Sequence, residues 1–186
     1  NGESGYFMYM NRGKKSITLD LKSDAGPEAV LGLAGWADVI VENYSPGTMA
    51  RLGLAYEDIR KVNPQIIYGS ISGFGQTGPY SKKKAYDGIT QVMGGMAYLT
   101  GDPGGTPMKV GPAISDSTTG IHMAVAILSA LHYRARTGRG QYIDMAMMDT
   151  VFSLLENFIP IKTMTGVQPH RVGNGNPFSA PYGQYQ

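Results

Sequence analysis

Few groups in this chain are equipped for chemistry. It has no cysteine, and its three histidines, His122, His132 and His170, lie far apart. Disulfides, thiolate nucleophiles and thiolate metal sites are thereby excluded, and the histidine spacing argues against a zinc centre. The acid that stands out is Asp116, within GPAISDSTTGIHMAVAILSALHYRARTGRGQ (residues 111 to 141). It lies between a Gly-Pro turn and a long apolar run, with no His, Cys or second acid beside it. Gly111, Ala113, Ser115 and Gly120 are small and leave room for a ligand to approach. Two roles fit such an acid. It can cap the following helix, accepting from the free amides of the first turn at the positive end of the dipole. It can also act as a covalent nucleophile toward an activated substrate. A carboxylate attacking a thioester needs no base, which would account for the missing histidine.

Cations cluster where loops leave strands: NRGKK (11 to 15), LDLK (19 to 22), Arg51 after NYSPG, and KKK (82 to 84). Each alone reads as solvated surface, but such loops are where α/β sheets bind nucleotides. Neither GxxxxGK[ST] nor a strand-linked GxGxxG is present, so the pattern favours a phosphorylated small molecule held by scattered Lys and Arg, and argues against a dinucleotide-binding oxidoreductase. Sixteen basic and fourteen acidic residues leave a net charge of +2, too little for a nucleic-acid footprint. Charged residues make up only 16% of the chain, which suggests surface covered by a partner, as in an oligomer. No run approaches the roughly 18 to 20 uninterrupted apolar residues of a membrane span, and no secretion signal is recognisable, so the expectation is a cytoplasmic protein with no membrane partner. The glycine-rich MGGMAYLTGDPGGTP (93 to 107) reads either as a plain loop or as a gate beside the acid.

The elements that must position these groups alternate between strand and helix. SITLDL (16 to 21) alternates as a strand. A helix over 22 to 37 follows, with Ser23 or Asp24 as its cap. DVIVEN (38 to 43) has the continuous apolar character of a buried parallel strand. Helices are expected over 47 to 54 and 55 to 63, the latter stopped by Pro64, and a strand over 65 to 73. A loop spans 74 to 84, and a helix over 85 to 101 follows. The longest helix runs from Ser117 to Ala135, with Ile121, Ala124, Val125, Leu128, Leu131 and Ala135 as its core face and Asp116 at its N-cap. Gly138 and Gly140 stop it, Gln141 to Met145 forms a strand, and another helix follows. This pattern argues an α/β fold around a parallel sheet, with residues 166–186 as loop or linker.

The ordered set MNRGKKSITLDLK, ADVIVENYSPGTMARLGL, NPQIIYGSISGFGQTGPY, KAYD, TGDPGGTPMKVGPAISDSTTG and ILSALHYRARTGRGQYIDMAMMD resembles the family III CoA-transferases, also called the carnitine dehydratase and bile-acid-inducible (CaiB/BaiF) family. The resemblance covers nearly the whole chain. It implies a Rossmann-like α/β CoA-binding large domain, with residues 1–165 as its central part, a smaller domain absent from this stretch, and an interlocked homodimer acting on acyl-CoA and carboxylic acid substrates without a metal. It further implies Asp116 as nucleophile, with Tyr86 and Asp87 of KAYD beside the reacting carbonyl. Leu19 and Lys22 of LDLK, Asn43 and Tyr44 of VENY, Arg51, Lys84 and Tyr86 would line the CoA site. Family members carry a segment before NRGKKS and a later glycine-rich loop, so the expectation is the central part of a subunit. α-Methylacyl-CoA racemases share the family, but they use a His where this chain has Tyr86. A non-catalytic CoA-binding fragment is the other alternative.

Overall fold

The structure is a computed structural model that describes Gly2 and residues 4 to 184. Three strands, β1 (Val39–Glu42), β2 (Ile67–Ser72) and β3 (Gln141–Ala146), form one parallel sheet in the order β1-β2-β3. Val39 pairs with Ile67, and Ile67 with Gln141. Before β1 come two helices, α1 (Gly5–Met10) and α2 (Ala25–Ala34). The β1–β2 crossover carries α3 (Thr48–Arg51) and α4 (Tyr56–Val62). The β2–β3 crossover carries α5 (Asp87–Met93), α6 (Met96–Leu99) and α7 (Ile114–Thr137); α8 (Met147–Ser153) and α9 (Phe158–Thr165) follow β3. The expected α/β class with a parallel sheet is what forms.

The two faces of β2 bury different things, as strand alternation requires. One face presents Tyr68, which closes a core with Ala34, Leu54, Ile59 and Ile66 against α2 and α4. Its hydroxyl donates to the Leu54 carbonyl (3.0 Å), satisfying the polar end, while Tyr56 and Tyr142 pack around the ring. The other face meets α7 at Gly69. A Cβ there would stand 2.7 Å from Met123 Sδ, so glycine lets α7 lie close against the sheet. At the start of β3, Gly140 is under harder constraint: a Cβ would run into the Ile66 carbonyl oxygen and sit 2.6 Å from the Gln65 carbonyl carbon.

Several expectations need correction. Residues 16 to 20 carry no helix or strand and Leu21 lies in a turn, so the alternation makes no sheet. The β-α-β unit expected at the N-terminal end therefore lacks its first strand. β1 is an edge strand with Val41 exposed, and is not a fully buried one. Of the candidate caps of α2, Ser23 acts, its Oγ accepting from Gly26 N–H (3.2 Å), while Asp24 makes no capping bond. The helix expected over 85 to 101 breaks at Gly94–Gly95 into α5 and α6. The core face assigned to α7 is also displaced. Ser115, Thr119, Met123 and Ala130 are buried, whereas Ile121, Val125 and Leu128 point outward at 63%, 59% and 66% exposure. Several three- and four-residue spacings coexist on this helix, and the close contact at Gly69 selects the face with Met123. Residues 166 to 184 carry no helix or strand; the last two residues lie outside the described ones.

Candidate active site

A cleft of about 560 Å³ opens at the C-terminal edge of the sheet. Its walls come from the ends of all three strands and from the start of α7: Asn43 to Pro46 after β1, Ile71 to Gly73 at the end of β2, Met147 after β3, and Asp116, Thr119 and Gly120 on α7. Lys83, Lys84, Ala85 and Tyr86, ahead of α5, close the remaining side. Open α/β sheets bind ligands at this edge, and the volume suits a small-molecule site.

Local interactions hold the rim. Glu42, buried at the end of β1, accepts from Tyr44 N–H (2.7 Å) and so turns Asn43 and Tyr44 into the cleft wall. Asp144 of β3 takes Gln76 N–H on both carboxylate oxygens (3.1 and 3.0 Å), tying down the loop after β2. In that loop Phe74 packs edge-on against Tyr80, and Lys83 lies 4.1 Å over the Tyr80 ring. Lys83 and Lys84 thus reach the cleft from a braced loop. Tyr86 is 80% exposed at its mouth.

Asp116 is not the N-cap of α7. The cap position is Ala113, which has no side chain to offer, and Asp116 lies in the first turn. Asp87 does the capping from another helix, its Oδ1 accepting from Ser115 N–H (2.8 Å). This is why α7 starts at Ile114, earlier than its own sequence pattern suggests. Asp116 is thereby freed to face the cleft. Partial burial, and then the charge of Asp87, push its carboxyl above the usual carboxylate range. Ser117 N–H, an amide that would otherwise be available to an oxyanion, donates to the Ala113 carbonyl (3.1 Å).

Of the residues expected at the site, Asn43, Tyr44, Lys84, Tyr86 and Asp116 share the cleft. Asp87 stands behind it, at the junction of α5 and α7. Arg51 is outside the lining but flanks the Asn43–Gly47 turn, with its guanidinium donating to Thr48 Oγ1 (2.9 Å). Leu19 and Lys22 lie ahead of α2 and do not line the cleft. The glycine-rich stretch stands away from it too. Arg171 pins that stretch by donating to the carbonyls of Tyr98 (2.7 Å) and Gly105 (2.5 Å). Ser72 and Thr119 line the cleft without having been singled out, and Met147, whose type reads as core, lines it too; a period-2 strand ending at the sheet edge was the signal for Ser72. Among the described residues there is no group of three or more His, Asp or Glu placed to hold a metal ion.

Fold and cleft together define an α/β protein with a cleft at the carboxyl edge of a parallel sheet, the edge at which such folds bind small molecules. Comparison with known proteins specifies the kind. The description of CoA-transferase family III matches residues 1–186, and the chain belongs to that family. It is 44% identical to the acetyl-CoA:oxalate CoA-transferase of Acetobacter aceti over 185 residues, covering 99% of this chain and 48% of that protein. It is also 44% identical to the succinyl-CoA:mesaconate CoA-transferase of Haloarcula hispanica, covering 98% of this chain and 47% of that protein. Among solved structures, a CaiB/BaiF family protein from Brucella suis superposes with a TM-score of 0.91 at 46% identity, covering 97% of this chain and 48% of that one. The chain thus spans about half the length of the relatives it matches.

Proposed function

We propose that the whole protein transfers CoA from an acyl-CoA thioester to a carboxylic acid through a covalent intermediate on Asp116. The observation that carries this reading is the placement of Asp116: an acid released from capping duty, in a cleft that also holds Lys83 and Lys84. The names of the relatives, which act on oxalate and mesaconate, favour short carboxylic acids as substrates.

The steps follow from the chemistry of a carboxylate and a thioester. An Asp116 oxygen attacks the thioester carbon, the C–S bond breaks, and CoA leaves as its thiolate. The thiolate then attacks the Asp116 carbonyl of the mixed anhydride, releasing the donor carboxylate and leaving an aspartyl-CoA thioester. The acceptor carboxylate attacks that thioester, forming a second anhydride and freeing the thiolate. Attack of the thiolate on the acceptor acyl carbon yields the product and restores Asp116. No proton has to move. Asn43, Tyr44, Leu19, Lys22, Arg51 and Lys84 hold CoA, the cations among them on its phosphates. Tyr86, at the mouth, contacts the acyl portion. The subunit works as an interlocked homodimer in the cytoplasm.

Incubating the full-length enzyme with labelled acyl-CoA and trapping with hydroxylamine should leave a mass change at Asp116. Asp116→Ala should abolish transfer while holding CoA affinity within about tenfold, since the nucleophile acts in the chemical steps. An unlabelled Asp116 in an enzyme that turns over rejects the covalent route, and α-proton exchange without transfer selects the racemase instead.

A further inference from the structure

Behind Asp116 lies a closed set of hydrogen bonds that connects three segments. Gln91 of α5 is fully buried and uses both ends of its amide. Nε2 donates to Asp87 Oδ2 (2.7 Å), and Oε1 accepts from Val110 N–H (2.8 Å), just ahead of the turn that leads into α7. Asp87 Oδ1 takes Ser115 N–H, next in sequence to Asp116. Thr90, also fully buried, donates to the Asp87 carbonyl (2.9 Å), so the 2.6 Å contact between Thr90 Oγ1 and Ser115 Oγ has Ser115 as donor. Thr119 Oγ1 completes the set by donating to the Ser115 carbonyl (2.6 Å).

We propose that Gln91 is a positioning residue for Asp116, acting through Asp87: it fixes the start of α7 and keeps both Asp87 oxygens engaged. The proposal rests on the reading of Asp116 as nucleophile. Only one amide orientation satisfies both partners, because a carboxylate can only accept and a backbone N–H can only donate. The two ends of the segment Val110 to Ser115 are thus set by one α5 turn, through Gln91 and Asp87. Displacement of that segment moves Asp116 relative to the thioester. Moreover, donors on both Asp87 oxygens spread a negative charge that otherwise acts undiminished on Asp116. On the elements that flank or pack against α5, the ionisable groups are Asp116 in the first turn of α7, Tyr86 and Lys84 ahead of α5, Lys109 with its Nζ on the carbonyls of Val110 and Gly111, Tyr98 on α6, and Asp149 on α8.

Two variants of the full-length enzyme test this. Gln91→Leu removes both bonds, and kcat should fall about 10- to 100-fold, the usual consequence of displacing a reacting group by about 1 Å, while the dissociation constant for CoA stays within about threefold. Gln91→Glu has the same shape. When protonated it donates to Asp87 and accepts from Val110; when ionised it faces Asp87 with like charge. Its kcat relative to the unsubstituted enzyme should therefore be highest at acid pH and fall as pH rises, a response that a space-filling role does not give. A Gln91→Leu enzyme with kcat within about twofold of the unsubstituted one, or a Gln91→Glu ratio flat with pH, overturns the proposal. If the unsubstituted enzyme turns over without an adduct on Asp116, the functional reading falls and this proposal with it. If that adduct forms and Gln91→Leu is unimpaired, only this proposal falls.

Discussion

At the residue scale, Asp116 combines a helix start with a charge that the fold makes uncomfortable. Its carboxyl is raised by burial and by Asp87, so the folded protein holds a proton there more tightly than the unfolded chain does. Above the folded pKa, the ionised group therefore detracts from stability. Asp116→Asn in the full-length enzyme should melt no lower than the unsubstituted enzyme at pH 7, and any gain should vanish as pH falls below roughly 4, where the unfolded carboxylate is protonated too. Thermal melts across that range check the sign. Asp87→Asn separates the two duties of Asp87. Its oxygen can still cap Ser115, but its amide meets the Gln91 amide donor to donor. Turning Gln91 round only moves the clash to Val110 N–H, so we expect a loss of about 1–3 kcal/mol in denaturant unfolding. Removing the negative neighbour lowers the Asp116 pKa, so the acid limb of the kcat profile should move to lower pH.

At the element scale, α7 is the beam on which the site depends. Its N-terminal end carries Asp116 to the cleft, and its other end is anchored across the sheet. There Arg134, with its side chain 18% exposed, pairs with Asp38 (2.7 Å) and also donates to the carbonyls of Asp38 (3.2 Å) and Gln65 (3.3 Å). One guanidinium thus joins the end of α7 to the starts of β1 and β2. Arg134→Ala should cost about 1–3 kcal/mol of stability, and Lys should restore little of it because an ammonium lacks the forked geometry. Chemical denaturation measures both, and equal stability of the Lys variant would show that charge alone suffices. Gly140→Ala tests the sheet. Its Cβ meets backbone at Gln65 and Ile66, which has no rotamer to yield. A loss of about 1–3 kcal/mol or more is expected, with β3 displaced from β2.

At the scale of the whole molecule, many large apolar side chains lie open, among them two groups on helices. Tyr6, Phe7 and Tyr9 stand out on α1, and Ile121, Val125 and Leu128 form a stripe on α7. A stable monomer seldom exposes such contiguous surface, and the chain spans about half the length of its relatives. Expressed alone, these 186 residues should bind a hydrophobic dye and elute above monomer mass, whereas the full-length protein should do neither beyond its own defined oligomer. A sharp monomer peak without dye binding would show that these faces need no cover.

Sequence alone reached the alternation of strand and helix from residue 38 onward, the end of the long helix at Gly138, and Asp116 as the acid worth following. These are local properties: hydrophobic period, turn residues and the company a single side chain keeps. It did not reach the pairing of strands, which depends on what lies alongside; SITLDL has the right alternation and no neighbour. Nor did it reach the face of α7, where several helical spacings competed and the missing Cβ of Gly69 decided. Above all it assigned the cap of α7 to Asp116, because a cap is usually supplied from within its own turn. The carboxylate that supplies that cap lies 28 residues earlier in the chain, accepting from Ser115 N–H. Only tertiary structure brings Asp87 to Ser115, and that contact leaves Asp116 free to face the cleft.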